Sequence, residues 1–142
     1  MIYLFSAKRG KKKQMNEFEN NAYFWQKVDT LYSSGDFELV KKKGSKHDEH
    51  PSLTYPCDYG YVRTLNSDSE IPIEVYKSNN GKKVDAIVLC ADILDKRFEV
   101  KTLVGLNEDE ENAVLHFLNC TDYQKSVLIR RGKSIPIWGE TE

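Results

Sequence analysis

Cysteine is scarce. The 142 residues hold only 3, at Cys57, Cys90 and Cys120, with no CxxC pair among them. An odd, widely spaced set argues against a disulfide framework or a structural zinc site and fits a reducing compartment. Long apolar runs are missing too. The opening MIYLFSA gives way after seven residues to the basic run KRGKKKQ, so it is too short for a membrane span, and its charges follow the apolar stretch where a secretory leader needs them first. Net charge is nearly nil, with 21 basic residues against 22 acidic for a formal −1. Nothing global therefore recommends nucleic acid or an acidic membrane as partner, and any electrostatic site has to be local. No internal repeat is visible. These absences leave a soluble, cytoplasmic chain with one domain-sized core.

The organisation follows from punctuation and periodicity. Residues 1–14 are expected to be a disordered basic extension, or sequence upstream of a start at Met15, and 15–142 a single domain. Apolar residues recur at Phe18, Ala22, Trp25, Val28 and Tyr32, which predicts an amphipathic helix over 17–33 docked through Trp25. FELV, IPIEVYK, VDAIVLCADIL and EVKTLVG read as strands, with NNG as a turn between the second and third, so the sheet is expected to occupy 36–105. Asn107 opens NEDEENAVLHFLN, with Glu110 at the capping-box position and acids in the first turn, predicting a helix over 107–119; the tail SVLIRR has the pattern of a returning strand. The gaps between strands are too short for crossover helices. The expected class is thus α+β, a small mixed or antiparallel barrel-like sheet with peripheral helices.

The segment TYPCDYGYV, Thr54 to Val62, places three tyrosines within nine residues. Buried phenols need partners for their hydroxyls, so such density suggests a wall of donors facing something polar, or else a packed turn. Just before it, KKKGSKHDEHP is a lysine-rich loop with two histidines three apart, a pattern open to zinc or manganese but more often simply solvated. Lysine clusters at 8–13 and 41–46 speak only weakly for nucleic acid, because no aromatic platform interleaves them.

Two of these segments carry a family likeness. YPCDYGYV followed by IPIEVY resembles the signature region of the soluble, family I inorganic pyrophosphatases, in which a YP-x-NYGY segment precedes an acidic D-G-D-P-x-D-V stretch. KKKGSKHDEHPSLTYPCDYGYV is also similar to a shortened subgroup of that family. The resemblance is close from Lys41 to Leu65 and weaker as far as Gly105.

What the resemblance implies is a five-stranded, OB-like barrel whose open end holds magnesium, with manganese as a substitute, and grips pyrophosphate. Hard oxygen ligands suit such ions, which lower the pKa of an attacking water. On the matching positions Glu74, Asp92 and Glu99, joined by Asp68, would hold metal. Tyr59, Lys101 and Glu74 would carry catalysis, while Lys43, Lys46, Tyr55, Tyr59 and Arg130 would bind the substrate's phosphates. The implied partner is a small phosphorylated ligand, pyrophosphate or a nucleotide, and a homo-oligomer is compatible with it. The chain also departs from the pattern. The first two acids of the acidic stretch fall on Ser69 and Ile71, Asp58 replaces the usual asparagine, and the family's K-Y-E hairpin has no counterpart. Those departures favour a second expectation, a catalytically degenerate member that binds a phosphate, a nucleotide or a protein.

Overall fold

The computed structural model describes residues 21–63 and 71–132. Asn21 sits in extended backbone and its side chain accepts from the Phe24 amide at 2.8 Å, capping helix α1, Ala22–Tyr32. This cap sets the start of α1 at Ala22, where periodicity predicts a start at 17; residues 17–20, with Phe18, lie outside the described residues. Trp25 is fully buried, with Val28 and Tyr32 packed around the same cluster. Arg131 fixes the helix from across the fold. Its two terminal nitrogens donate to the two Asp29 carboxylate oxygens at 2.8 Å each, and its guanidinium lies 5.5 Å from the Trp25 ring centre.

Six strands follow: β1 Phe37–Lys41, β2 Asp58–Val62, β3 Ile73–Lys77, β4 Val84–Asp92, β5 Arg97–Val104 and β6 Gln124–Arg130, with helix α2, Glu108–Leu118, before the last. They form one mixed sheet in the order β1-β2-β3-β5-β4-β6, and only the β3–β5 pair is parallel. Two expectations need correcting. The sheet has six strands and not five: SVLIRR returns as expected, pairing antiparallel with β4 from Ala86↔Arg130 to Asp92↔Gln124, and the tyrosine segment adds β2, a strand that its density of polar aromatics concealed. Nor does it close as a barrel among the described residues: β1 and β6 are its two edges. Asn119 at the end of α2 secures the return, its amide donating to Leu115 and Ser126 carbonyls while its oxygen accepts from the Ser126 amide at 2.7 Å. The predicted capping box is present, Asn107 and Glu110 each accepting the other's backbone N–H.

Strand alternation divides the core in two. On one face Tyr55, Cys57, Tyr76, Val88, Cys90 and Leu103 pack beneath Val114 and Leu118 of α2. The other carries Val62, Val75, Val84 and Val104 beneath Trp25. Gly60 is needed at the β1–β2 seam, where a Cβ would stand 2.0 Å from the Glu38 carbonyl oxygen. No described helix is long and apolar enough to cross a membrane.

Candidate functional site

Residues two apart on a strand share a face, so β5 presents Arg97, Glu99 and Lys101 together. The parallel register sets Glu74 of β3 opposite Lys101, and the antiparallel register sets Tyr59 of β2 opposite Tyr76. A chain of charge-assisted contacts results. Lys101 Nζ donates to Glu74 Oε1 and to Glu99 Oε1 at 2.6 Å each, Tyr59 donates its hydroxyl to Glu74 Oε1 at 2.5 Å, and Arg97 Nη2 meets Glu99 Oε2 at 2.5 Å.

Burial opposes the Lys101 ammonium, but the Glu74 and Glu99 carboxylates outweigh it and raise the lysine's pKa. Burial likewise favours a neutral Glu99, and there the hydrogen bond and charge of Lys101, with Arg97, prevail and hold the carboxyl below its ordinary value. Tyr59 is pushed far above the usual phenol range by burial and by the Glu74 carboxylate it bonds, so it stays a donor.

A cleft of about 260 Å³ opens beside this chain, between the α2 face of the sheet and the loop before Tyr55. Its walls include Tyr55, Tyr59, Tyr76 and Phe117, interlocked with ring centres 4.8–6.4 Å apart. Tyr76 is 3% exposed and Tyr55 8%, and neither hydroxyl has a hydrogen-bond partner among the described residues. Asp92, also buried, caps the β4–β5 turn: its Oδ1 accepts from the Leu94 and Asp95 amides at 2.8 Å each, and its Oδ2 has no partner among the described residues. His47 stacks on Tyr55 at 5.9 Å. Its Nδ1 accepts from the Glu49 and His50 amides at 3.1 and 3.2 Å, which fixes the proton on Nε2. His50 Nε2 meets the Tyr123 hydroxyl at 2.9 Å.

The fold therefore gathers Tyr59, Glu74, Glu99 and Lys101 into one connected group, and brings Tyr55 and Asp92 to the same cleft as Glu99 and Lys101. Other expected residues stand apart. Lys43 and Lys46 are exposed in the preceding loop and do not line the cleft. Asp58, beside the expected anion, instead accepts the Lys43 amide at 2.9 Å. Arg130 reaches α2, donating to Glu111 at 2.7 Å and to Asn112 at 3.2 Å. Ile71 is exposed away from this cleft, and Asp68 and Ser69 lie outside the described residues. Sequence reasoning missed Arg97 and Tyr76, although each sits two positions from a residue it did single out, Glu99 and Glu74. It also left unassigned Phe117 and Tyr123, which only the docking of α2 and β6 brings in.

Among the described residues the donor set does not fit a divalent ion. The space between Glu74 and Glu99 is filled by the Lys101 ammonium, and Asp92 spends one oxygen on the turn. With Nδ1 of His47 committed to backbone, the HDEH histidines do not form a metal pair either. Among the described residues no three acids, histidines or cysteines come together as ligands.

No protein-family model matches the chain, and no curated protein matches it. Among solved structures it is similar to an inorganic pyrophosphatase from the pathogenic bacterium Helicobacter pylori, at TM-score 0.44 and 12% identity over 77% of this chain and 84% of that one. It is similar also to an inorganic pyrophosphatase from Coxiella burnetii, at 0.43 and 14% over 68% and 87%. A third likeness is to an inorganic phosphatase from Anaplasma phagocytophilum, at 0.39 and 11% over 68% and 75%. At identities and scores this low the likeness assigns neither fold nor chemistry, and the chain's own geometry has to supply both.

Proposed function

We propose that this chain is a binding protein that takes a small polar ligand into the Tyr55–Tyr76 cleft without turning it over. The supporting observation is the Tyr76 hydroxyl, almost fully enclosed, on the wall of the cleft and without a protein partner among the described residues. Leaving such a group unpaired costs about 1–3 kcal/mol, a cost removed when a ligand atom or an ordered water bonds to it. Hydrolysis of pyrophosphate would need cations free to neutralise the phosphates. Here Lys101 is held by two carboxylates and Arg97 by Glu99, while Lys43, Lys46 and Arg130 stand elsewhere.

One observation favours a second reading, Mg²⁺-dependent hydrolysis of pyrophosphate with Mn²⁺ as substitute: the convergence of Tyr59, Glu74, Glu99 and Lys101. Phosphate release from pyrophosphate with each metal separates the two. The binding reading expects no release above background. Metal-dependent release that Glu74→Gln and Tyr59→Phe abolish would overturn it in favour of the hydrolase.

A further inference from the structure

The charges around the cleft say which ligands it suits. Glu49, Asp92, Asp95 and Glu99 line it against Arg97 and Lys101, four acids to two bases, a formal −2 with the histidines neutral. Both bases are engaged, Lys101 by Glu74 and Glu99 at 2.6 Å and Arg97 by Glu99 at 2.5 Å and Asp95 at 3.6 Å. An anion would meet excess negative charge and bases already held by carboxylates.

The unsatisfied groups point the same way. Asp92 is 7% exposed, and its Oδ2 lacks a donor among the described residues. Tyr76 adds a buried hydroxyl and Tyr55 a second one, both able to accept, and their rings, with Tyr59 and Phe117, wall the cleft with aromatic carbon. A carboxylate oxygen in a cleft walled by aromatic rings is an environment that attracts an organic cation, which gains from the charge and from contact with the rings together. At about 260 Å³ the space lies just under the range of pockets that hold drug-sized molecules, so it suits a short chain or a single compact headgroup.

We propose that the ligand of this cleft is a small aliphatic ammonium compound, with Asp92 as its counter-charge and the tyrosine cluster as its apolar wall. This rests on the reading of the chain as a binding protein, and the two can fail separately.

The test uses the full chain at fixed ionic strength, with thermal unfolding and titration calorimetry. The cationic probes are 1,4-diaminobutane and choline, the neutral probe is 1,4-butanediol, and the anionic probes are inorganic phosphate and pyrophosphate. The expected result is that an amine raises the unfolding midpoint by about 5 °C near saturation, with no response to the diol or the anions. Asp92→Asn keeps an oxygen for the turn amides while removing the charge, so it should fold normally and weaken the amine about tenfold. Tyr76→Phe should weaken it by a smaller factor, and added salt should weaken it in the parent chain. Binding of phosphate, pyrophosphate or the diol that depends on Tyr76, without binding of either amine, would overturn the cation assignment and leave the binding reading standing. Silence from every probe would overturn both.

Discussion

Replacing Lys101 with methionine removes the ammonium and keeps the stem, so the result reads the charge cluster more than packing. The Lys101 side chain is 7% exposed, and the two carboxylate oxygens it holds lie 2.6 Å from Nζ on either side. Without it, Glu74 and Glu99 are like charges no more than about 5 Å apart, which at an effective dielectric of about 20 repel by roughly 3 kcal/mol. Removing one partner from a buried ion pair costs about 3–5 kcal/mol in general. Arg97 still offsets Glu99, and both carboxylates keep some water contact, so the lower figure applies and Lys101→Met should lose about 3 kcal/mol at pH 7. Urea unfolding measures it as a lower midpoint at unchanged slope. The penalty must also shrink when the same comparison is made at about pH 4.5, because like-charge repulsion favours protonation of one carboxylate and protonation ends the repulsion. Glu74→Gln added to Lys101→Met should recover part of the loss for the same reason. A loss below about 0.5 kcal/mol at pH 7, or an equal loss at both pH values, would refute the cluster as described.

In the unsubstituted chain Glu99 has a lowered pKa, so its contribution to stability is present above the ordinary glutamate value of about 4.3 and fades as pH falls through the folded value; Lys101, being raised, contributes below about 10.4 and fades only at higher pH. A pH series of urea midpoints should therefore show acid loss that Glu99→Gln diminishes. Arg131→Lys breaks the paired contact with Asp29 and the stacking on Trp25, and should cost about 1–3 kcal/mol by the same assay. Cys57 is buried, with its thiol pushed up to about 12, and Cys90 is buried too, so a thiol reagent at pH 8 should modify Cys120 alone until the chain unfolds. Gly60→Ala forces a Cβ against the Glu38 carbonyl and should destabilise the β1–β2 edge by about 1–3 kcal/mol or block folding, read as a lowered thermal midpoint.

How much was legible varied with the range of the interaction. The capping box at Asn107 and the docking of Trp25 were readable because caps and periodicity are local. The start of α1 was misplaced because Phe18 continues the apolar spacing, whereas Asn21 caps through a single hydrogen bond that periodicity does not register. Glu74, Glu99, Lys101 and Tyr59 could be singled out as a set, yet their use was hidden. Only the parallel β3–β5 register, a long-range pairing, puts Lys101 between the two glutamates where a metal was expected. Lysine-rich sequence around 41–46 looked like an anion grip, but Lys43 and Lys46 do not line the cleft, Lys41 pairs with Asp48 at 2.7 Å, and it is the Lys43 backbone amide that binds Asp58. Closure was overestimated for a similar reason, since nothing in the strands' alternation states which edges meet.

Uptake of a divalent ion by the folded chain bears most directly on the claim that Lys101 stands where a metal would. Titration calorimetry of Mn²⁺ into the full-length protein at pH 7 is predicted to give no saturable heat below millimolar concentration. Saturable uptake of one or more equivalents, lost in both Glu74→Gln and Glu99→Gln, would contradict it.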